Sequence, residues 1–196
     1  MLQSNQTPLV TPEQFKAMFP ISGSKLQDKY YPDLENALRK FQINTPPRIA
    51  AFLAQVAHES GNLVYTQELA DGHAYDNRKD LGNTRPEAIA IAKAAGKSPG
   101  EFLKGEGLIQ VTGYNNLLKC GEALGIDAVH NPELLRELPY AWLSAAWFWN
   151  VHNCNALADA GLFGHITQTI NGGFNGQKER VLYWNRNQVV MQCKLK

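Results

Sequence analysis

Apolar residues recur through most of the chain at the three-to-four-residue spacing of amphipathic helices, with glycine-rich breaks between the runs. Thr11-Pro12-Glu13 reads as an N-cap followed by a first-turn proline, opening a short helix through Met18. Leu34, Ala37, Leu38 and Phe41 share one face and predict a helix over Asp33–Phe41. Pro46-Pro47 opens a helical segment from Arg48 to Ser60, closed by Gly61. Further helices are predicted over Pro86–Ala95, Tyr114–Leu124, Pro139–Asn150, His165–Ile170 and Gln177–Gln192. The stretch Asn62 to Asn83 breaks this rhythm: it is polar, rich in aspartate and glycine, and reads as a short hairpin or a long loop. Trp142, Ala145, Ala146 and Trp149 share a helical face, which reads first as core and second as a sugar-stacking surface. The pattern is mainly α.

Composition narrows the picture. A chain of 196 residues with no internal repeat fits a single domain, 1–196, whole or in two lobes. Hydrophobic residues at 44% against charged residues at 19% support a packed core and argue against wholesale disorder. No apolar run approaches the ~20 residues of a bilayer span, so no stable membrane insertion is expected. Met1 to Val10 lacks the basic-then-apolar pattern of a secretory signal, which predicts folding in a cytoplasm and release by another agent. A net charge of +1 argues against nucleic acid as a partner. From Phe174 onward, however, Lys178, Arg180, Arg186, Lys194 and Lys196 face only Glu179, which reads as a solvated helix face or as affinity for an anionic surface. Cys120, Cys154 and Cys193 have no metal-like spacing and are odd in number, so reduced thiols, no disulfide and no zinc are expected.

The chemistry concentrates in carboxylates. Phe52, Val56 and Glu59 fall at i, i+4 and i+7, which puts Glu59 on an apolar face at a helix C-terminus. Desolvation and the helix dipole both favour its protonated form, as a general acid requires; simple solvation at the helix end is the competing reading. His58 precedes it, but the zincin pattern needs a second histidine where Asn62 stands, leaving a structural or orienting role. Glu68 lies in the polar stretch, where a glutamate stays ionised and can activate water. Two carboxylates in unlike settings are the pair that inverting glycoside hydrolysis uses, about 6.5–9.5 Å apart. Gly105-Glu106-Gly107 and the following Gln110, Thr112 and Asn116 read either as a sugar subsite or as a turn and helix cap, and Asn171-Gly172-Gly173 either as a C-cap or as a grip on an acetamido group.

In order and spacing, several segments together resemble glycoside hydrolase family 19, closest to its phage endolysin branch. They are Ala57-His58-Glu59-Ser60-Gly61, Glu68, Asp80-Leu81-Gly82-Asn83-Thr84, Gly107-Leu108-Ile109-Gln110-Val111-Thr112-Gly113, Asn116 and Ile170-Asn171-Gly172-Gly173. The resemblance covers about residues 46 to 186 and implies a lysozyme-like, two-lobed helical fold with a central cleft, and a short irregular or hairpin segment after the catalytic helix. It implies Glu59 as general acid and Glu68 as the base that activates water. It further implies Thr112 as the residue that fixes that water, and Gln110, Asn116 and Asn171 as sugar contacts. One departure stands out: the family commonly has Gly-Arg-Gly where this chain has Gly105-Glu106-Gly107. Glu106 then either shifts the titration of a catalytic carboxylate within ~6 Å or joins the pair itself.

These readings predict a peptidoglycan hydrolase that cuts β-1,4 bonds between amino sugars without metal or organic cofactor. It would be a monomer that waits in the host cytoplasm and reaches the wall through a separate pore-forming protein (a holin). Chitin hydrolysis, lytic transglycosylation and a glycan-binding module with a degenerate site are the alternatives.

Overall fold

A computed structural model describes residues 7–193; Lys194 and Lys196 of the basic tail, and the first six positions of Met1–Val10, lie outside that range. Ten α-helices run through the described residues: α1 Pro12–Met18, α2 Ser24–Lys40, α3 Pro46–Glu59, α4 Pro86–Ala94, α5 Pro99–Phe102, α6 Tyr114–Leu124, α7 Tyr140–Val151, α8 Cys154–Asp159, α9 Phe163–Asn171 and α10 Gln177–Val190. Short 3-10 segments add His73–Tyr75 and Pro132–Arg136. The starts follow ordinary capping chemistry. Thr11 and Gln14 form a reciprocal capping box on α1, and prolines open α3, α4 and α5 in their first turns.

One expectation changes, and one open alternative resolves. The helix predicted over Asp33–Phe41 is the second half of α2, which starts at Ser24 and carries Pro32 inside it. Proline removes a ladder donor and normally interrupts a helix, but Gln27, Tyr30, Leu34, Ala37 and Leu38 hold one buried face across it. The polar stretch after α3 is a loop and not a hairpin: its pairing consists of an isolated antiparallel bridge, Gln67 to Glu106, with a second from Glu106 to Val111.

The core forms around α3, in which every residue from Ile49 to Ala57 is buried. A helix covered on all sides can be apolar on all sides. Phe52 packs against Trp149 at 5.5 Å and against Trp142 at 6.3 Å between ring centres. Both tryptophans are fully buried, so they are core and not sugar platforms. Their indole N–H groups stay satisfied, Trp142 donating to Tyr30 O at 2.8 Å and Trp149 to Asn155 Oδ1 at 2.8 Å.

Helix α10 lies along α3 and corrects the reading of a solvated basic face for Arg180 and Arg186, while Lys178 is exposed. Arg180 is 1% exposed, and Asn187 is buried with its Nδ2 donating to Ala50 O. Arg186 donates to Met18 O, and burial lowers its pKa. The three cysteines are free, and burial pushes the Cys120 and Cys154 thiols up to about 12, which leaves them unreactive. Among the described residues no helix is long and apolar enough to cross a membrane.

Candidate active site

Glu59 ends α3, and its side chain is 17% exposed. The apolar wall expected from the sequence is replaced by a guanidinium: Arg180 Nη2 donates to Glu59 Oε1 at 2.5 Å. Gln55, one turn earlier on the same face, accepts from Arg180 Nη1, and Arg180 Nε donates to Asn175 O at 3.2 Å. Gln55 in turn donates to Thr167 Oγ1 at 3.0 Å. One buried cation therefore ties the end of α3, the body of α9 and the loop before α10 to the Glu59 carboxylate. Buried charges persist only where they are paired and hydrogen-bonded in this way.

Glu68 is half-buried in the loop that follows. Its Oε1 accepts from the Tyr75 hydroxyl at 2.9 Å and its Oε2 from Gly105 N–H at 3.1 Å. Its own N–H donates to Gly105 O at 2.9 Å. Position 105 takes glycine because an added Cβ would stand 2.9 Å from Gln110 Oε1 and 3.2 Å from Glu68 Oε2. Burial, and then the neighbouring Glu68, raise the Tyr75 pKa, which keeps the phenol a donor. The Glu68 carboxylate is thereby aimed by two fixed donors.

Glu59 and Glu68 line one groove of about 330 Å³ together with Tyr65, Gln67, Leu69, Ala70 and Gln110. Gln110 sits at φ +59°, a strained backbone for a non-glycine residue and one that tends to mark functional loops. Its Nε2 donates to Gly107 O at 2.8 Å. Thr112 and Asn116 lie directly behind it, Thr112 Oγ1 donating to Gln110 O at 2.9 Å and Asn116 Nδ2 to Thr112 O at 2.8 Å. Neither lines the groove in this arrangement.

The remaining candidates stand apart from the groove. Asn171 is exposed at the C-terminus of α9, where its Oδ1 accepts from Asn175 N–H at 3.3 Å. It is linked to the site through Asn175, the residue whose carbonyl holds Arg180. His58 turns away from Glu59 and pairs with Glu179 Oε2 at 2.5 Å. Burial raises the Glu179 pKa, but hydrogen bonds from Tyr183 and His58 outweigh it and leave a net lowering. Glu106 is buried behind Gln67, with Arg136 Nε 2.7 Å from its Oε2. Its charged neighbours are Arg136 and Lys104. Among the described residues no group of three or more His, Cys, Asp or Glu is gathered as a metal site would require.

Sequence reasoning missed Arg180, Gln55, Gln67, Tyr65 and Tyr75. A signal for Arg180 was present: with Tyr183 and Asn187 it falls at i, i+3 and i+7, an arginine on the buried face of α10. Tyr75 and Gln67 left none, because loop geometry brings them to Glu68 and Glu106.

Comparison with known proteins gives the family and the fold. Residues 41–160 match the family model of the glycoside hydrolase 19 domain, chitinase class I. An endochitinase of Arabidopsis thaliana is 32% identical over 148 residues, 74% of this chain and 47% of its own length. A glycosyl hydrolase family 19 domain-containing protein of Haemophilus influenzae is 29% identical, covering 67% of this chain and 74% of its own. The chain thus spans about half the length of the plant relatives it matches. The crystal structure of chitinase C from Streptomyces griseus superposes with a TM-score of 0.74 at 27% identity, over 97% of this chain and 96% of that one. That likeness carries the lysozyme-like, two-lobed helical fold. A family match over more than half the chain makes this protein a member of glycoside hydrolase family 19.

Proposed function

We propose that the protein is a peptidoglycan-degrading endolysin that hydrolyses β-1,4 bonds between amino sugars with inversion. In this reading Glu59 protonates the leaving glycosidic oxygen, and Glu68, aimed by Tyr75 and Gly105, draws a proton from the attacking water. The observation that carries the proposal is the shared groove: the two carboxylates face one space, with Gln110 beside them. Gln110 would contact the glycan; Thr112, with Asn116 bonded to its backbone, would act on the water through the Gln110 carbonyl to which it donates, and Asn171 would reach the glycan from the end of α9. Peptidoglycan strands are the partner, no metal or organic cofactor takes part, and a separate pore-forming protein releases the enzyme from the host cytoplasm to the wall.

Chitin hydrolysis is the second reading, favoured by the endochitinase names of the curated relatives. Digestion of purified peptidoglycan and of chitin oligosaccharides, side by side, separates the two. Soluble muropeptides with hydrated reducing ends are expected from the first substrate and slower cleavage of the second. The reverse order would make the protein a chitinase. Anhydro ends in the mass spectrum would make it a transglycosylase, and wall binding without products a binding module.

A further inference from the structure

Glu106 is 1% exposed and does not itself line the groove, but it meets a residue that does. Its backbone is bridged to Gln67 on one side and Val111 on the other. Flanking bonds from Gly107 N–H to Thr66 O at 2.8 Å and from Glu68 N–H to Gly105 O at 2.9 Å lock the two segments in register. Its Oε1 accepts from Gln67 Nε2 at 2.9 Å, and Arg136 stands at its Oε2. Gln67 itself is half-buried and lines the groove with both catalytic candidates.

A glutamine amide is nearly symmetrical in shape and opposite in chemistry at its two ends. Its nitrogen only donates and its oxygen only accepts. An ionised carboxylate only accepts, so it selects the orientation with Nε2 towards Glu106 and Oε1 turned away. An arginine, a pure donor, would select the reverse.

From this contact we infer that Glu106 is a positioning residue that fixes the Gln67 amide so that its Oε1 is presented to the glycan as an acceptor for a sugar hydroxyl or acetamido N–H. The inference rests on the glycan-hydrolase reading above.

The same contact makes glycan affinity depend on pH. Burial pushes the Glu106 carboxyl up to about 7, against the opposing pull of Gln67, Arg136 and Lys104. Once protonated, it carries an O–H that can donate to Oε1, and the amide loses its preferred orientation. Affinity should therefore fall as pH drops through about 7.

The test has two arms. In the 15N-labelled protein, the Gln67 side-chain amide resonances should titrate with a midpoint near 7 and cease to do so in Glu106→Gln. With a soluble chitin oligosaccharide at pH 8, Gln67→Leu should raise KM about 3- to 10-fold, one hydrogen bond's worth, with kcat within about twofold. At pH 5.5 the KM of the wild type should rise towards that of Gln67→Leu, which should show no such step. Amide resonances that do not titrate, or an active Gln67→Leu with the wild-type KM at both pH values, would overturn the inference and leave the hydrolase reading intact. A wild type that neither cleaves nor binds chitin or peptidoglycan fragments would overturn the hydrolase reading and the role of Oε1 with it.

Discussion

Glu59 and Gln55 stand one turn apart on α3 and close on the guanidinium of Arg180 like a fork. Each member depends on the others differently. Glu59→Gln keeps an oxygen that can accept from Arg180 but cannot serve as an acid. Turnover should fall at least ~10²-fold, with stability changed little. Equal turnover by wild type and variant of whichever glycan, chitin oligosaccharide or peptidoglycan, the wild type cleaves would remove the catalytic role. Arg180→Ala does the converse, removing a fully buried cation and leaving the buried Gln55 Oε1 and the partly exposed Glu59 without their donor. A loss of about 3 kcal/mol is expected, read from urea unfolding, together with a drop in activity as the Asn175 carbonyl loses its tie.

At the scale of elements, the seam between α3 and α10 positions the site. Gly176, the N-cap of α10, sits at φ +71°, and an added Cβ would lie 2.1 Å from the His58 ring. Gly176→Ala should therefore strain the cap, push His58 off Glu179 and cost about 2 kcal/mol, measured as a shift in the urea midpoint. Retention of full stability would mean that the loop before α10 yields freely. This seam shows what the sequence could convey. Periodicity located α3 and α10 because each buries a continuous face, and Glu59 stood out at the end of the first. It read only half of α2, because Pro32 disguises a helix that tertiary burial carries through. It passed over α5 and α8, of four and six residues, which are too short to show a period. The partners of Glu68 were illegible for another reason: Tyr75 and Gly105 reach it through loop paths that local patterns do not encode.

For the whole molecule, the consequence of burying Glu106 is a dependence of folding on pH with an unusual sign. Its carboxyl titrates near 7 in the folded chain against an ordinary value of 4.5, so the folded state holds that proton more tightly than the unfolded one. The stability tied to this group is fully present below about 4.5 and is lost as pH rises through about 7. A shift of this size corresponds to roughly 3 kcal/mol. Most carboxylates that are held low by a partner act the other way; Asp80, brought to about 2 by Arg78, does so, but on the surface, where the bond adds little to stability. Urea unfolding at pH 5 and pH 8 should therefore show the wild type losing stability towards the alkaline side. Glu106→Gln should flatten that slope, because its amide has no proton to give up and Arg136, about one third exposed, can still reach water. If the two proteins change in parallel between those pH values, Glu106 is ionised in the folded state at both, and Arg136 compensates its burial in full. The groove of a wild type at pH 8 would then stand on a fully paired base, with no reserve of strain beneath Gln67.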